Sequence, residues 1–290
     1  TDLTQEWLNR LVDPRLNLAG MDLTSPCIMG VLNVTPDSFS DGGSFDDPVS
    51  ALFQAEKMVQ NGADIIDVGG ESTRPGAKEI STVLEIERTG QVIKTICAKT
   101  NVAVSIDTRK ASVAKAAVKS GAALVNDVSG LTFDPDLAPF CAEEDLPVCV
   151  MHSQGLPEVM QDMPLYEDVV LDVYDFLETQ INHLIGQGIG RNRIIADPGI
   201  GFGKTMAHNL ALLNRVSLFH SLGVPLLLGV SRKGFIGKIT QENVAEARVI
   251  GSVSAALTCL SQGVQIFRVH DVKETRQAFD MWQTIMFGRE

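Results

Sequence analysis

The sequence predicts a single (β/α)8 barrel of the TIM type, and three observations carry that prediction. Short apolar runs rich in β-branched residues recur eight times along the chain, segments of helical period lie between them, and polar residues stand at the end of each run. Continuous apolar runs suit strands buried on both faces, as in a parallel sheet covered by helices. A count of eight favours a closed barrel over an open sheet; such barrels need about 250 residues, and the chain has 290.

Residues 1–25 precede the first run and read as an extension flanking the bottom of the barrel, leaving 26–290 as the barrel domain. The first strand is "CIMGVL" (27–32), followed by the polar stretch "NVTPDSFSDGG" (33–43) and a helix over 48–61. "DIIDVG" (64–69) runs into "GGESTRPGA" and a helix over 79–99, and "VAVSID" (102–107) leads to a helix over 110–120. "ALVND" (123–127) and "PVCVMH" (147–152) are the fourth and fifth strands. After the fifth comes the longest helical stretch, 166–188, with Val169, Val170, Val173, Phe176, Leu177, Ile181 and Leu184 on one stripe at helical spacing. "RIIADP" (193–198), a helix over 206–222, "PLLLGV" (225–230), a small-residue-rich helix within 248–260, "IFRVHD" (266–271) and a last helix over 272–287 complete the count.

Composition excludes several classes of function. The net charge of −12 argues against a nucleic-acid partner, because phosphate backbones demand a basic footprint. No apolar run is long enough to span a membrane, and the N-terminus lacks the basic start and apolar core of a secretory signal. Five scattered cysteines, Cys27, Cys97, Cys141, Cys149 and Cys259, show no C-x-x-C spacing and read as reduced thiols of a cytosolic protein.

The strand ends are the informative positions. They carry in turn Asn33, Asp67, Asp107, Asn126 with Asp127, His152, Asp197, then Ser231, Arg232 and Lys233, and finally Arg268, His270 and Asp271. In a barrel these ring the C-terminal face, where active sites of the fold sit. A single Asp or Asn after a strand reads equally well as a cap for the next helix, and Asp127 and Asp271 fit that description. Capping does not explain the full ring with Lys and Arg beside it. Asp107, Asn126 and Asp197 are acceptors suited to a flat ligand edge bearing N–H groups, whereas Lys233, Arg268 and His270 are donors suited to phosphate oxygens. "GIGFGKT" (199–205) is no nucleotide-cradling loop: G-x-x-x-x-G-K-[ST] would need glycine where Pro198 stands, and G-x-G-x-x-G fails at Lys204. It reads as a glycine-rich turn that lets backbone approach a ligand, with Phe202 free to stack.

"MGVLNVTPDSFSDGG", "GGESTRPGA", "SIDT", "NDVSG", "ADPGIGFGK", "GVSRK" and "FRVHDV" resemble, in order, the motifs of the bacterial dihydropteroate synthases, a pterin-binding enzyme family. The resemblance is spread over 29–271. It implies condensation of 6-hydroxymethyl-7,8-dihydropterin diphosphate with 4-aminobenzoate, giving 7,8-dihydropteroate and pyrophosphate on the folate pathway. It further implies magnesium as the metal, competition by sulfonamides, and a homodimer. By position, Asp107, Asn126 and Asp197 would hold the pterin edge, Lys233 would reach its ring, and Val128, Met151 and Phe202 would wall it. Asn33, Thr73, Arg268 and His270 would take the diphosphate, Asn33 with the metal. Phe39, Arg74, Pro75 and Arg232 would meet the aminobenzoate. The polar stretches at 33–43 and 72–78 resemble the family's two mobile loops, whose turn-forming residues suit a segment that orders and releases in each cycle.

The bond to be broken joins a CH2 group to diphosphate, and an electron-rich pterin can stabilise a cation at that carbon. An SN1-like course then needs charge stabilisation more than a base: Arg268, His270 and magnesium at the leaving group, Asp41 at the cation, Lys233 at the ring. The arylamine is neutral at pH 7 and attacks as it is. Other readings are a pterin-dependent methyltransferase domain, which has no diphosphate to grip, a non-catalytic pterin-binding homologue, and a Schiff-base role for Lys233 as in some barrel aldolases. The chain departs from the family's commoner pattern at Gly234, where Ser is frequent, at "IDTRKASV", which replaces a common "TSKPEV" string, and at Ile200, where Phe is common.

Overall fold

The computed structural model describes residues 2–15, 17–35, 48–72, 79–154 and 164–288. Helix α1 (Asp2–Val12) is followed by a short antiparallel hairpin, β1 (Asn17–Leu18) and β2 (Met21–Asp22). Its turn puts Ala19 and Gly20 at positive φ. The barrel then runs β3 (Cys27–Asn33), α2 (Pro48–Gln60), β4 (Ile65–Gly69), α3 (Thr82–Lys99), β5 (Ala103–Asp107), α4 (Ala111–Lys119), β6 (Leu124–Asp127) and α5 (Leu137–Glu143). It continues with β7 (Val148–Met151), α6 (Val169–Gly186), β8 (Ile194–Asp197), α7 (Met206–Asn214), β9 (Leu227–Leu228), α8 (Gly234–Thr240), α9 (Val249–Leu260), β10 (Ile266–Val269) and α10 (Val272–Phe287).

All pairs in the large sheet are parallel, in the order β8-β7-β6-β5-β4-β3-β10-β9. A parallel bridge between Ala196 and Leu226 joins the two ends, so the predicted barrel closes. The closing strand is shorter than expected over 225–230: only Leu227 and Leu228 form ladder pairs. Pro225 has no N–H to give; its carbonyl still accepts from the Ala196 N–H at 2.9 Å. The helix expected over 206–222 ends at Asn214 and resumes as a 3-10 segment, Val216–Leu222, because Arg215 leaves helical geometry at φ −124 and Gly223, at φ +73, turns the chain into β9. The predicted stripe of α6 is buried except for Phe176, which is half-buried. Asp168 starts that helix by accepting from the Val170 N–H at 2.9 Å.

Strand alternation sorts the apolar side chains into two cores. Ile28, Leu32, Ile66, Ile106, Val125, Val150 and Phe267 belong to the large core shared with the helices. Cys27, Met29, Ile65, Leu124, Cys149, Ile195, Leu227 and Ile266 form a separate inner cluster with Leu18, Met21 and Leu23. The N-terminal hairpin therefore plugs the barrel floor, each buried aliphatic contributing about 1.5–3 kcal/mol. Above that plug most inward positions turn polar: Asp67, Ser105, Asn126 and Arg268, then Asn33, Asp107 and Asp197, with Val31 and Met151 the apolar members of those layers. The apolar floor leaves these groups a single accessible side, the C-terminal mouth. No helix among the described residues is long and apolar enough to cross a membrane.

Candidate active site

Sheet register assembles the polar ring. Asn33, Gly69, Asp107 and Asn126 lie side by side on β3 to β6. A Cβ on Gly69 would stand 3.6 Å from both Asn33 Oδ1 and Asp107 Oδ2. The bare glycine opens the gap between those two side chains.

At the centre is Arg268. Its Nε donates to Asp67 Oδ2 at 2.6 Å and its Nη2 to Asp107 Oδ2 at 2.8 Å. Burial works against its charge, but Asp67 and Asp107 outweigh that and hold the guanidinium above its ordinary value. Burial likewise pushes Asp107 up to about 7, with Arg268 pulling it down and Asp67 pushing it further up. Asn126 Nδ2 donates to Asp67 Oδ2 at 3.1 Å. Asp67 Oδ1 and its register neighbour Ser105 Oγ are buried without a hydrogen-bond partner. Each such group costs about 1–3 kcal/mol, a sign that polarity in this layer serves the site above it.

Asp197 stands on the next strands of the ring. Its Oδ1 accepts from the Gly199 N–H at 2.7 Å. Burial raises it, while that hydrogen bond and then Lys233, Lys204 and Arg268 pull it back. Asp197 and Arg268 thus face one common mouth. Burial pushes Lys233 down to about 8, opposed by Asp197 and assisted by Arg268. Its ammonium lies 4.2 Å from the centroid of the Phe202 ring, a cation–π contact. Phe202 is half-buried, and Val128 and Met151 are buried at the ends of β6 and β7.

The "SRK" turn closes the ring. Ser231 Oγ lies 3.1 Å from His270 Nδ1 and accepts from the His270 N–H at 3.2 Å. Burial, reinforced by Arg268 and Arg232, pushes His270 down to about 3. At neutral pH it is therefore a neutral imidazole, with one ring N–H to donate. Asp271 also departs from expectation. It occupies the N-cap of α10, but its side chain makes no cap hydrogen bond; it accepts instead from Arg232 Nε at 3.0 Å and Nη2 at 2.5 Å. Arg232 sits at φ +60, a backbone position that costs about 1–3 kcal/mol in a non-glycine residue. Asp127 is no helix cap either: α5 begins ten residues later, and the buried carboxylate accepts from the Ser129 and Leu131 N–H groups.

Phe39, Asp41, Thr73, Arg74 and Pro75 lie outside the described residues. Several groups assigned no role of their own from the sequence frame the site. Asp67 aligns Arg268 and Asn126, Ser231 orients His270, and Lys204 lies beneath the Phe202 turn. Glu71, two positions before Thr73 in the sequence, is held by Arg109 Nη2 at 2.6 Å and Lys110 Nζ at 2.8 Å, with Lys110 also on Glu85 at 2.9 Å. The substituted "IDTRKASV" string therefore anchors Glu71 as well as opening α4. An acid in mid-strand at 67 was the available signal for the first of these groups.

The donor set bears on magnesium. Among the described residues no three His, Cys, Asp or Glu converge to hold an ion. Asn33 offers one carbonyl oxygen beside Asp107, which fits a magnesium ion held largely by substrate phosphates and water.

Comparison with known proteins gives a consistent result. The sequence pattern of the family described as pterin binding enzyme matches residues 29–270. The dihydropteroate synthase of Escherichia coli strain K12 is 43% identical over 270 residues, spanning 93% of this chain and 95% of that protein. The dihydropteroate synthase of Xanthomonas albilineans, solved with 4-aminobenzoic acid, is 41% identical with a TM-score of 0.87, covering 92% of this chain and 95% of that one. A structure of dihydropteroate synthase from the same organism in complex with 7,8-dihydropteroate gives 38% identity and a TM-score of 0.85, covering 94% and 99%.

Proposed function

We infer the chemistry of this mouth from one premise: the chain belongs to the pterin binding enzyme family. Its activity is the dihydropteroate synthase reaction, condensation of 6-hydroxymethyl-7,8-dihydropterin diphosphate with 4-aminobenzoate to give 7,8-dihydropteroate and pyrophosphate. The supporting observation from this chain is that Arg268, clamped by Asp67 and Asp107, shares one mouth with Asp197 and Lys233. Acceptors for a heterocycle thus adjoin donors for its phosphorylated tail. Mixing the two substrates with the protein and magnesium and following pyrophosphate is the direct assay. Stoichiometric release is expected; pterin binding without release would instead favour a non-catalytic homologue.

In this proposal the Asp197 carboxylate and the Asn126 carbonyl accept from the pterin edge, and Asp107 does so while steadying Arg268. Val128, Met151 and Phe202 flank the ring, and the Lys233 ammonium, seated over Phe202, reaches it from one side. Arg268 and a neutral His270 donate to the diphosphate, with Thr73 and Asn33 beside them. As the C–O bond to the methylene carbon lengthens in an SN1-like course, negative charge gathers on the leaving pyrophosphate, and Arg268 meets it with a guanidinium already fixed in place. Magnesium, when bound with the diphosphate at Asn33, supplies further neutralisation of that charge. Asp41 stabilises the pterin methyl cation, while Phe39, Arg74, Pro75 and Arg232 form the aminobenzoate side. Asp271 already occupies the Arg232 guanidinium, so binding a carboxylate there means sharing it. A Cβ on Gly234 would meet nothing within 4 Å, so a serine fits at that position. The free thiols of all five cysteines support a cytosolic setting. Exposed Ile239 and Ile250, on neighbouring helices α8 and α9, support a homodimer, which sedimentation velocity reads directly.

Lys233 makes the affinity dependent on pH. Its ammonium is lowered to about 8 in the free protein, and an arriving diphosphate polyanion raises it again. Binding then takes up a proton above that pH, which opposes binding more strongly as the pH rises. Affinity for the pterin diphosphate is expected to fall by up to about tenfold per pH unit above roughly pH 8. Lys233→Met should flatten that limb, as read by calorimetric titration. A limb unchanged in the variant assigns it to another group.

A further inference from the structure

The reaction as proposed gives no task to Lys204, yet its side chain is only 3% exposed. Burying an ammonium costs several kcal/mol unless it is well bound, so its surroundings matter. Its Nζ lies 2.9 Å from His152 Nδ1, 3.3 Å from the His152 carbonyl and 3.0 Å from the Phe202 carbonyl. An ammonium has three N–H donors, and these three acceptors match them. A neutral amine would turn its lone pair toward one of them. Burial and the neighbouring Lys204 push His152 down to about 3, which keeps its ring neutral and Nδ1 free to accept. Burial pulls Lys204 down to about 7, with Asp197 opposing and Lys233 adding to the fall. Its charge is therefore balanced by Asp197, a group to which it makes no hydrogen bond.

Lys204 also lies where two rim segments cross. At Gly199, φ +68, an added Cβ would stand 1.9 Å from the His152 carbonyl oxygen, and at Gly203, φ +60, 2.4 Å from the Gln154 carbonyl oxygen. Only glycine permits backbone to approach this closely. The lysine fastens that crossing by holding one carbonyl from each segment. The same turn carries the Gly199 N–H that binds Asp197 and the Phe202 ring beneath Lys233.

We propose that Lys204 is a positioning residue for the pterin end of the site: its buried ammonium fixes the crossing of segments 152–154 and 199–203 and adds to the field that keeps Asp197 ionised as an acceptor. The assignment rests on Asp197 receiving the pterin edge, so the test measures both. The probe is 6-hydroxymethyl-7,8-dihydropterin without its diphosphate, titrated calorimetrically across pH. Lys204→Gln keeps an amide donor for the carbonyls and removes the charge. It should bind the probe about tenfold more weakly near neutral pH, with the acid limb of binding displaced upward by about one pH unit. Its KM for the pterin diphosphate should rise while kcat changes little. Lys204→Arg keeps the charge and should leave the limb where it is in the parent protein. Parent-like affinity and limb in folded Lys204→Gln would overturn the inference. If that variant does not fold, a displaced limb in Lys204→Arg overturns it and an unmoved limb supports it. Asp197→Asn separates the two readings: parent-like probe binding there defeats the pterin assignment and this inference with it. Lost binding there beside a parent-like Lys204→Gln defeats only the role of Lys204.

Discussion

Replacing Arg268 with alanine is expected to cut kcat/KM severely and to destabilise the fold in the same step. The guanidinium bridges two buried carboxylates, Asp67 and Asp107. Removing one partner of a buried ion pair leaves an uncompensated charge and costs about 3–5 kcal/mol. The active-site cost is separate. A preorganised donor aimed at developing negative charge contributes about 10²–10³-fold, and a charged, bidentate-capable guanidinium belongs at the upper end of that range. A loss of about 10³-fold or more in kcat/KM is therefore expected, alongside a lower melting temperature. Arg268→Lys retains the charge but has no planar fork to reach both acids, so it should recover stability more fully than activity. The pH dependence has a definite sign. Burial holds Asp107 high, at about 7, and Arg268 is the group pulling it down; without the arginine its folded value rises further. A carboxylate raised on folding stabilises below its unfolded value and loses that contribution as pH climbs through the folded value. The stability deficit of Arg268→Ala should thus shrink as the pH is lowered from 8 toward 5. Chemical denaturation at several pH values checks this, and a deficit that grows on acidification would remove Asp107 as the partner in question.

The same pair of acids marks the boundary of what the sequence discloses. Eight strands were legible because a parallel sheet covered on both sides leaves unbroken apolar runs, and the observed bounds fall within a residue or so for most of them. Asp107, Asn126 and Asp197 were legible because each is the last or next-to-last residue of its run, where an inward polar group has only the mouth to face. Asp67 sits one inward step lower, and its partner Arg268 lies 201 residues away. No local spacing links them; only barrel closure does. Lys204 was visible as the lysine of a failed nucleotide loop, but nothing in "GIGFGKT" reports that a second rim segment crosses over it. The break at Arg215 was hidden for a different reason, since apolar spacing continues through 216–222 and conceals the change to a 3-10 path. His270 was legible as a donor beside Lys233 and Arg268, but its charge state was not. Its neutrality follows from three cations around a buried ring, a property of the assembled site.

Asp197→Ala should cost pterin binding itself, with little dependence on the phosphate tail. The carboxylate is 6% exposed, and one of its oxygens is already committed to the Gly199 N–H. What remains accessible is a short, fixed acceptor edge facing the mouth, surrounded by Lys233, Lys204 and Arg268. Charge-assisted hydrogen bonds contribute about 1.5–3 kcal/mol each, so losing a paired contact of this kind weakens binding of the diphosphate-free pterin by roughly 10²–10⁴-fold. A second effect acts in the same direction: with the acid gone, three cations face one another across the site without their central counter-charge. Lys233 is already lowered to about 8, and Asp197 is the group raising it. In the alanine variant it should lose its proton at lower pH, so affinity for the pterin diphosphate falls as well and its alkaline limb moves down. Asp197→Asn refines the argument. It keeps the shape and an oxygen for Gly199 but turns an N–H toward the ligand's own donors, so it should bind no better than alanine despite its closer likeness to the native side chain. Asparagine binding nearly as well as aspartate would mean that shape, not the ionised acceptor, selects the ring.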